Sequence, residues 1–258
     1  MRLCIVRVPV ADLRKEPSHQ TERVSQALLN ETAEILNEEA DWLRVKLNRD
    51  GYEGWIYKPH VVETRVERSF DHVVVVPIVS VFVSPYAPFP MMRLSFNTRV
   101  RLIETSKQWG LVELADRKGW LRIRHIRKVD EIRFDPYELW RKGLEFIGTP
   151  YLWGGRSAFG FDCSGFVQTL YDFFGVKLPR DTDEMLNVGT ELKREELELG
   201  DLLFFTRHVG IYGGGGEFIH SSRTQGGVYL SSFDPHSPHY NERLANDFVT
   251  GRRIVTTT

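Results

Sequence analysis

The chain has 258 residues, and its 34 Lys and Arg residues almost balance 35 Asp and Glu residues. Hydrophobic residues make up 41% of it, which is the composition of a folded protein rather than a disordered one. The net charge of −1 gives no global reason to expect nucleic acid or a membrane as a partner.

The first half of the chain reads as short strands that occur twice. Trp42 and Trp109 are 67 residues apart, and Trp55 and Trp120 are 65 apart, each of the latter pair following a glycine. Alternating apolar residues separated by turn residues indicate small β-barrels. We predict one barrel over residues 1–65 and a second over 66–130, with Trp42, Trp109 and Trp120 in the cores. Cys4, in a strand-like run, is expected to be a core residue.

The pattern changes near residue 130, and we predict a third domain over 131–258. Asp135 followed by Pro136 is a typical helix start, and this helix is expected to end before Gly148. A second helix is predicted from Cys163 to a stop at Gly175, with apolar residues at helical spacing. Further elements follow in order: a short capped helix at Asp181 and strands over Leu202–Phe205, His208–Tyr212 and Glu217–Ser221.

Cys163 is the candidate nucleophile. At a helix N-terminus, unpaired N–H groups and the helix dipole favour a thiolate, so we expect its pKa to lie well below the free value of about 8.5. His208 follows 45 residues later and His220 another 12 residues on. If the hairpin tip spans Gly213–Gly215, His208 lies directly opposite His220 on one face of the sheet. A one-residue slip would place the two rings on opposite faces.

These motifs resemble a known family. The segments Tyr151-x-Trp153-Gly154-Gly155, Asp162-Cys163-Ser164-Gly165-Phe166 and His208-Val209-Gly210-Ile211-Tyr212, with His220, are similar to the NlpC-type cell-wall cysteine peptidases. The resemblance implies an α+β chain with two SH3-like barrels before a papain-like domain. It implies Cys163 as nucleophile, His208 as base and His220 as the residue that orients the base, with no metal or other cofactor.

The amino-terminal residues sharpen the resemblance. Residues 22–29 and 50–55 resemble the γ-D-glutamyl-L-diamino acid endopeptidases of this family, in which an acid and a tyrosine of the first SH3-like domain help close the pocket over the free N-terminal L-alanine. Carried over, the acid is Glu22 and the tyrosine is Tyr52, with Tyr57 as the alternative.

Within the peptidase domain, the same resemblance assigns the acid that binds the substrate amine to Asp162. It assigns Tyr151 and Ser164 to the lining of the pocket. A second role for Asp162, the N-cap of the Cys163 helix, is compatible with the first.

The sequence therefore predicts an endopeptidase that cuts L-Ala-γ-D-Glu-diamino acid peptides derived from peptidoglycan. No apolar segment approaches the roughly 18 residues of a membrane span, and the amino terminus lacks signal-peptide features. We therefore expect a cytoplasmic protein that recycles wall fragments, without a nucleic acid or membrane partner. The alternatives are an amidase or acyltransferase of the same fold and a non-catalytic protein that binds wall peptides.

Overall fold

The computed structural model describes residues 2–65 and 68–254. The chain divides into two compact units, Met1–Ile132 and Arg133–Thr258. The predicted boundary between the two barrels adjoins residues 66 and 67, which lie outside the described residues, so that limit stays a prediction. Within the described part, no helix is both long and apolar enough to cross a bilayer.

The first barrel is a seven-stranded antiparallel sheet with the order β3-β2-β6-β5-β4-β1-β7. Its strands are β1 (Leu3–Val6), β2 (Val10–Arg14), β3 (Arg23–Leu28), β4 (Thr32–Glu39), β5 (Trp42–Leu47), β6 (Glu53–Tyr57) and β7 (Val61–Thr64). Inward-facing side chains alternate with outward-facing ones, so Cys4, Leu13, Leu43 and Ile56 are buried in one core. Cys4 is a packing residue, as predicted, and burial raises the pKa of its thiol to about 12.

The second barrel, like the first, contains seven strands within its described residues. Its strands are β8 (His72–Val74), β9 (Ile78–Val81), β10 (Met92–Ser95), β11 (Arg99–Ser106), β12 (Trp109–Glu113), β13 (Lys118–Arg122) and β14 (Ile126–Lys128). The β4–β5 ladder is bulged between Ile35 and Asn37, and the β11–β12 ladder is bulged at the corresponding place, between Leu102 and Glu104. The repeat seen in the sequence is therefore a repeat of backbone geometry.

The tryptophan predictions were right for the first barrel and only partly right for the second. Trp42 is 7% exposed, whereas Trp109 and Trp120 are only half-buried. Trp109 packs against Phe82 at a ring distance of 5.6 Å, and the Arg122 guanidinium covers its face at 4.0 Å. The guanidinium covers the indole ring and shields it from solvent, although core side chains do not enclose the ring completely.

The second unit combines, in its described part, four α-helices with a six-stranded sheet of order β17-β22-β18-β19-β20-β21. The helices are α1 (Pro136–Leu144), α2 (Cys163–Phe173), α3 (Thr182–Met185) and α4 (Glu242–Asp247). The strands are the short pair β15 (Arg156–Ser157) and β16 (Gly160–Phe161), then β17 (Thr190–Leu192), β18 (Leu202–Phe205), β19 (His208–Gly214), β20 (Glu217–Ser222), β21 (Gly227–Ser232) and β22 (Phe248–Arg253). The α+β class is as predicted.

Helix boundaries follow the predicted caps at their starts. The Asp135 carboxylate accepts hydrogen bonds from the N–H groups of Tyr137 (2.8 Å) and Glu138 (3.0 Å). The α1 helix ends at Leu144, earlier than predicted, and turns carry the chain to Gly148, whose φ is 86°. In α3 the residue at the N-cap is Asp181, but its side chain makes no capping hydrogen bond, so that part of the prediction was wrong.

Candidate active site

Cys163 is the first residue of α2, and the loop before it fixes that position. The Asp162 carboxylate caps the helix by accepting the Gly165 N–H at 2.6 Å. A side chain at Gly165 would collide with the carbonyl oxygen of Gly155, so the helix start can pack onto the glycine loop only without a Cβ. The remainder of α2 is almost wholly buried, which anchors the cysteine at the edge of the core.

The two histidines lie on the same face of the sheet, but not in the predicted register. Ile211 pairs with Ile219 and Tyr212 with Phe218, and a bulge follows, so the turn is tighter than the predicted tip. This register is two residues away from the predicted one, and His208 is diagonal to His220 rather than directly opposite. An even shift keeps both side chains on one face, because side chains alternate with a period of two.

The imidazoles are joined by a direct hydrogen bond. His208 Nε2 lies 2.7 Å from His220 Nδ1, and His220 Nε2 lies 3.0 Å from the Ser231 hydroxyl oxygen. Burial lowers the pKa of His208 to about 4, and it also holds the pKa of His220 well below its usual range, with the neighbouring His208 as a further cause. Both rings are therefore neutral at pH 7.

The Cys163 sulfur lies beside the strand that carries His208. Hydrogen bonds from the backbone N–H groups of Val209 and Ser164 lower the pKa of the thiol, and Thr182 Oγ1, 3.9 Å from Sγ, acts in the same direction. Burial, followed by the negative charge of Asp162, outweighs these contacts and raises the pKa above its ordinary value. The predicted resting thiolate was therefore wrong, because desolvation of the sulfur exceeds the effect of the helix N-terminus.

Asp162 is held in a buried ion pair that the sequence did not reveal. Arg180 donates from Nη1 to Oδ1 at 3.2 Å and from Nη2 to Oδ2 at 2.7 Å, and it also donates to the Ser164 hydroxyl at 2.8 Å. The Gly154 N–H donates to Oδ2 at 2.9 Å. The side chains of Arg180 and Asp162 are only 1% and 11% exposed. The predicted N-cap role of Asp162 is confirmed, and its carboxylate also ties the glycine loop to α2.

The structure places Tyr151 near this group and buries Ser164. Burial raises the pKa of the Tyr151 hydroxyl, and electrostatic interaction with the neighbouring Cys163 and Asp162 raises it further, so the phenol stays protonated and can donate a hydrogen bond. Ser164 is 5% exposed and accepts a hydrogen bond from Arg180. Contact of either residue with substrate stays a prediction.

Glu22, Tyr52 and Tyr57, the other predicted substrate residues, belong to the first unit. Glu22 is exposed, 3.9 Å from Lys15 Nζ. Lys15 and Tyr52 line a groove of about 350 Å³ together with Arg44 and Trp55. Tyr57 lies instead in a ring cluster with His19, Trp42 and His60, with ring centroids 4.8, 5.5 and 5.3 Å away. The structure thus places Tyr52 on a concave surface of the first unit.

Three residues of the site had no distinctive sequence signal. Arg180, Thr182 and Ser231 contact Asp162, Cys163 and His220 only through tertiary structure. Arg180 precedes the short α3 helix in sequence and could have been read as an ordinary surface charge. Among the residues that the structure describes, no three potential metal ligands of the His, Cys, Asp and Glu types cluster together.

A cysteine at the start of a buried helix, beside two linked histidines on an antiparallel sheet, defines a papain-like cysteine peptidase site. Comparison with known proteins agrees. The model of the NlpC/P60 family matches residues 148–248, and that of the bacterial dipeptidyl-peptidase SH3 domain matches residues 13–60. The chain belongs to the NlpC/P60 family and is a cysteine peptidase.

Relatives extend the similarity over both units. The chain is 30% identical over 245 residues to the γ-D-glutamyl-L-lysine dipeptidyl-peptidase of Bacillus cereus, covering 86% of this chain and 73% of the relative. It is 30% identical over 260 residues to dipeptidyl-peptidase 6 of Lysinibacillus sphaericus, covering 93% and 95%. A crystal structure of an NlpC/P60 family protein from Bacillus cereus shares the fold, with a TM-score of 0.85, 24% identity and coverage of 98% and 100%.

Proposed function

We propose that the protein hydrolyses the γ-D-glutamyl–L-diamino acid bond of peptidoglycan-derived peptides that have a free N-terminal L-alanine. The observation that carries the proposal is the hydrogen bond between His208, on the strand beside Cys163, and His220 on the neighbouring strand. The name of the 30%-identical Bacillus cereus relative supports the choice of bond. The diamino acid is lysine or diaminopimelate.

Catalysis begins from a neutral thiol and a neutral imidazole. As Cys163 Sγ attacks the γ-carbonyl carbon, the thiol proton passes to His208, and the new carbonyl oxyanion is stabilised in part by the Cys163 backbone N–H. His208 then gives the proton to the departing amine, leaving a thioester. Attack by water, with His208 again accepting a proton, releases the D-glutamyl γ-carboxylate and regenerates the thiol.

The histidine pair can hold its protons in two ways. In one, His208 Nε2 carries a hydrogen and donates it to His220 Nδ1, so His220 Nε2–H donates to Ser231. In the other, both bonds run in the opposite direction and the His208 proton sits on Nδ1. Only the first leaves His208 Nδ1 as a base, so His220 acts by accepting the Nε2 hydrogen and stabilising the imidazolium that forms.

Recognition of the substrate ammonium requires a carboxylate that the substrate can reach, and Asp162 is only 8% exposed. Asp162 already accepts two backbone N–H groups and two guanidinium hydrogens, about the full capacity of a carboxylate. Asp181 is exposed and adjoins Thr182, whose hydroxyl is 3.9 Å from Cys163 Sγ. These observations favour Asp181 over Asp162 as the acid that pairs with the ammonium.

The roles of Glu22, Tyr52 and Tyr57 in closing over L-alanine are part of the proposal and rest on the resemblance. A cytoplasmic role in recycling wall fragments is also part of the proposal. Measured activity of Glu22→Gln and Tyr52→Phe on free and N-acetylated peptides tests the first point. A higher KM for the free peptide alone supports the assignment, whereas unchanged kinetics on both substrates contradict it.

The reaction is tested by identifying the products from L-Ala-γ-D-Glu-L-Lys, from its diaminopimelate analogue and from N-acetylated forms. We expect release of L-Ala-γ-D-Glu, no turnover in Cys163→Ala, and weak turnover of blocked peptides. Asp181→Asn should raise KM for the free peptide and leave the blocked one unaffected. Cleavage that ignores N-acetylation contradicts the amine pocket, and cleavage at another bond supports the amidase alternative.

A further inference from the structure

The connection between β9 and β10, residues 82–91, is the apolar feature that most lacks a partner. Tyr86 is 91% exposed, Phe89 79% and Val83 67%, the three highest values for large hydrophobic side chains in the described parts of the chain. Three large apolar side chains exposed within one ten-residue connection mark it as a candidate interaction surface. Three prolines in the same connection restrict its backbone and reduce the entropy lost on binding.

The corresponding connection in the first barrel has the opposite chemistry. Between β2 and β3 the chain carries Lys15, Glu16 and Glu22, all charged. From residue 78 to residue 92 the second barrel has no charged side chain. Because both barrels carry a bulge at the corresponding place of the corresponding ladder, the difference belongs to this connection and not to the repeated geometry.

Basic residues outnumber acidic residues in the barrel that carries the uncharged connection. Residues 68–132 contain eleven Lys and Arg against six Asp and Glu, although the whole chain has a net charge of −1. Arg93 pairs with Ser80 in the β9–β10 ladder and is exposed. The bridge between Phe82 and Trp120 brings exposed Lys118 next to the start of the connection.

We propose that residues 82–91 insert Val83, Tyr86 and Phe89 into the surface of an anionic lipid bilayer, with Arg93 and Lys118 placed at the lipid headgroups. An uncharged connection can enter the membrane–water interface without the cost of desolvating a charge. Aromatic rings favour this interface, where they lie at the level of the lipid headgroups. Basic residues near the surface add attraction to anionic lipid.

Two other occupants fit less well. A sugar chain is usually held by carboxylate or amide groups beside aromatic rings, and no Asp, Glu, Asn or Gln lies between Asp71 and Asn97. A second copy of the chain provides no charge complement, because self-association through this connection would bring together the basic rims, Arg93 and Lys118, of the two copies. The assignment replaces our expectation of no membrane partner, which rested on the net charge of the whole chain.

The test is co-sedimentation of the full chain with vesicles of phosphatidylcholine alone and with vesicles containing phosphatidylglycerol. We expect binding to the anionic vesicles that weakens with salt. Tyr86→Ser/Phe89→Ser should lose at least roughly tenfold in affinity, and Arg93→Gln/Lys118→Gln about fivefold for each residue. Tyr137→Ser/Val249→Ser, exposed at 63% and 58% in the other unit, is the matched control and should bind like the unaltered protein.

Circular dichroism and turnover of a soluble peptide show that each variant is folded. Absence of vesicle binding by the unaltered protein overturns the proposal, as does equal binding of the Tyr86→Ser/Phe89→Ser variant. Binding of a soluble polyphosphate as tight as that of vesicles, insensitive to Tyr86 and Phe89, reassigns the basic rim to a polyanion. Concentration-dependent dimerisation in light scattering, lost in the same variant and without vesicle binding, reassigns the surface to a second copy.

Discussion

The Arg180–Asp162 ion pair gives the sharpest prediction about the site. The Arg180→Met variant keeps the length of the side chain but leaves the Asp162 carboxylate buried without a cation. Removing one partner of a buried ion pair costs about 3–5 kcal/mol, because the remaining charge stays desolvated. For a unit of this size the loss should lower the melting temperature by roughly 10–20 °C. Both side chains are almost wholly buried, so solvent does not screen the effect.

The ion pair should also control the nucleophile. The charge of Asp162 raises the pKa of Cys163, and without Arg180 this charge is less well compensated. Alkylation by iodoacetamide should therefore need higher pH in Arg180→Met, and lower pH in Asp162→Asn, than in the unaltered protein. The double variant has neither charge and should recover part of the stability, with a coupling energy of about 0.5–3 kcal/mol.

Two assays decide the matter: thermal unfolding, and the pH dependence of alkylation measured at a temperature where each variant is folded. A merely structural contact would change the first and leave the second unaltered. Arg180→Met with an unchanged melting temperature would refute the energetic argument. Unmoved alkylation curves in both single variants would refute the electrostatic link to Cys163.

Four further predictions concern protonation and the histidine pair. Alkylation of Cys163 in the unaltered protein should keep rising beyond pH 9, and a plateau by pH 7 would show a resting thiolate instead. Because the pKa of His208 is lowered to about 4, kcat/KM on soluble peptide should fall on acidification near that pH; an acid limb near 6.5 would contradict the burial argument. In the unfolded chain His208 and His220 bind protons as the pH falls below about 6.5, whereas burial keeps both rings neutral in the folded protein. The free energy of unfolding should therefore be highest above pH 6.5 and decline toward pH 4. Ser231→Ala leaves His220 Nε2 without its hydroxyl partner and should destabilise by about 1–3 kcal/mol, measured by urea unfolding; an unchanged free energy of unfolding would contradict this.

Much of the fold could be predicted from signals that act between neighbouring residues of the sequence. Asp135 before Pro136 predicted the start of α1, because a cap and a proline act within one turn of the helix. The paired tryptophans predicted the two barrels, because the same strands need the same ring in each copy. The end of α1 could not be placed, because its last turns depend on packing rather than on a local stop signal.

The side of the sheet on which the histidines lie also followed from the sequence, although their register did not. Any register of the two strands that differs from the predicted one by an even number of residues places His208 and His220 on the same face of the sheet. The choice between a direct and a diagonal pair depended on a bulge in the glycine turn, where several backbone conformations are nearly equal in energy.

By itself, the sequence identified the candidate nucleophile, the candidate base and the residue next to it, because each lies in a short motif whose chemistry is local. Only the tertiary structure decided the protonation of Cys163 and the partners of Asp162. Charge and desolvation depend on groups far apart in the chain, so Arg180 and Thr182 enter the site through folding rather than through spacing. For the same reason, the balanced net charge of the whole chain gave no indication of the basic rim of the second barrel.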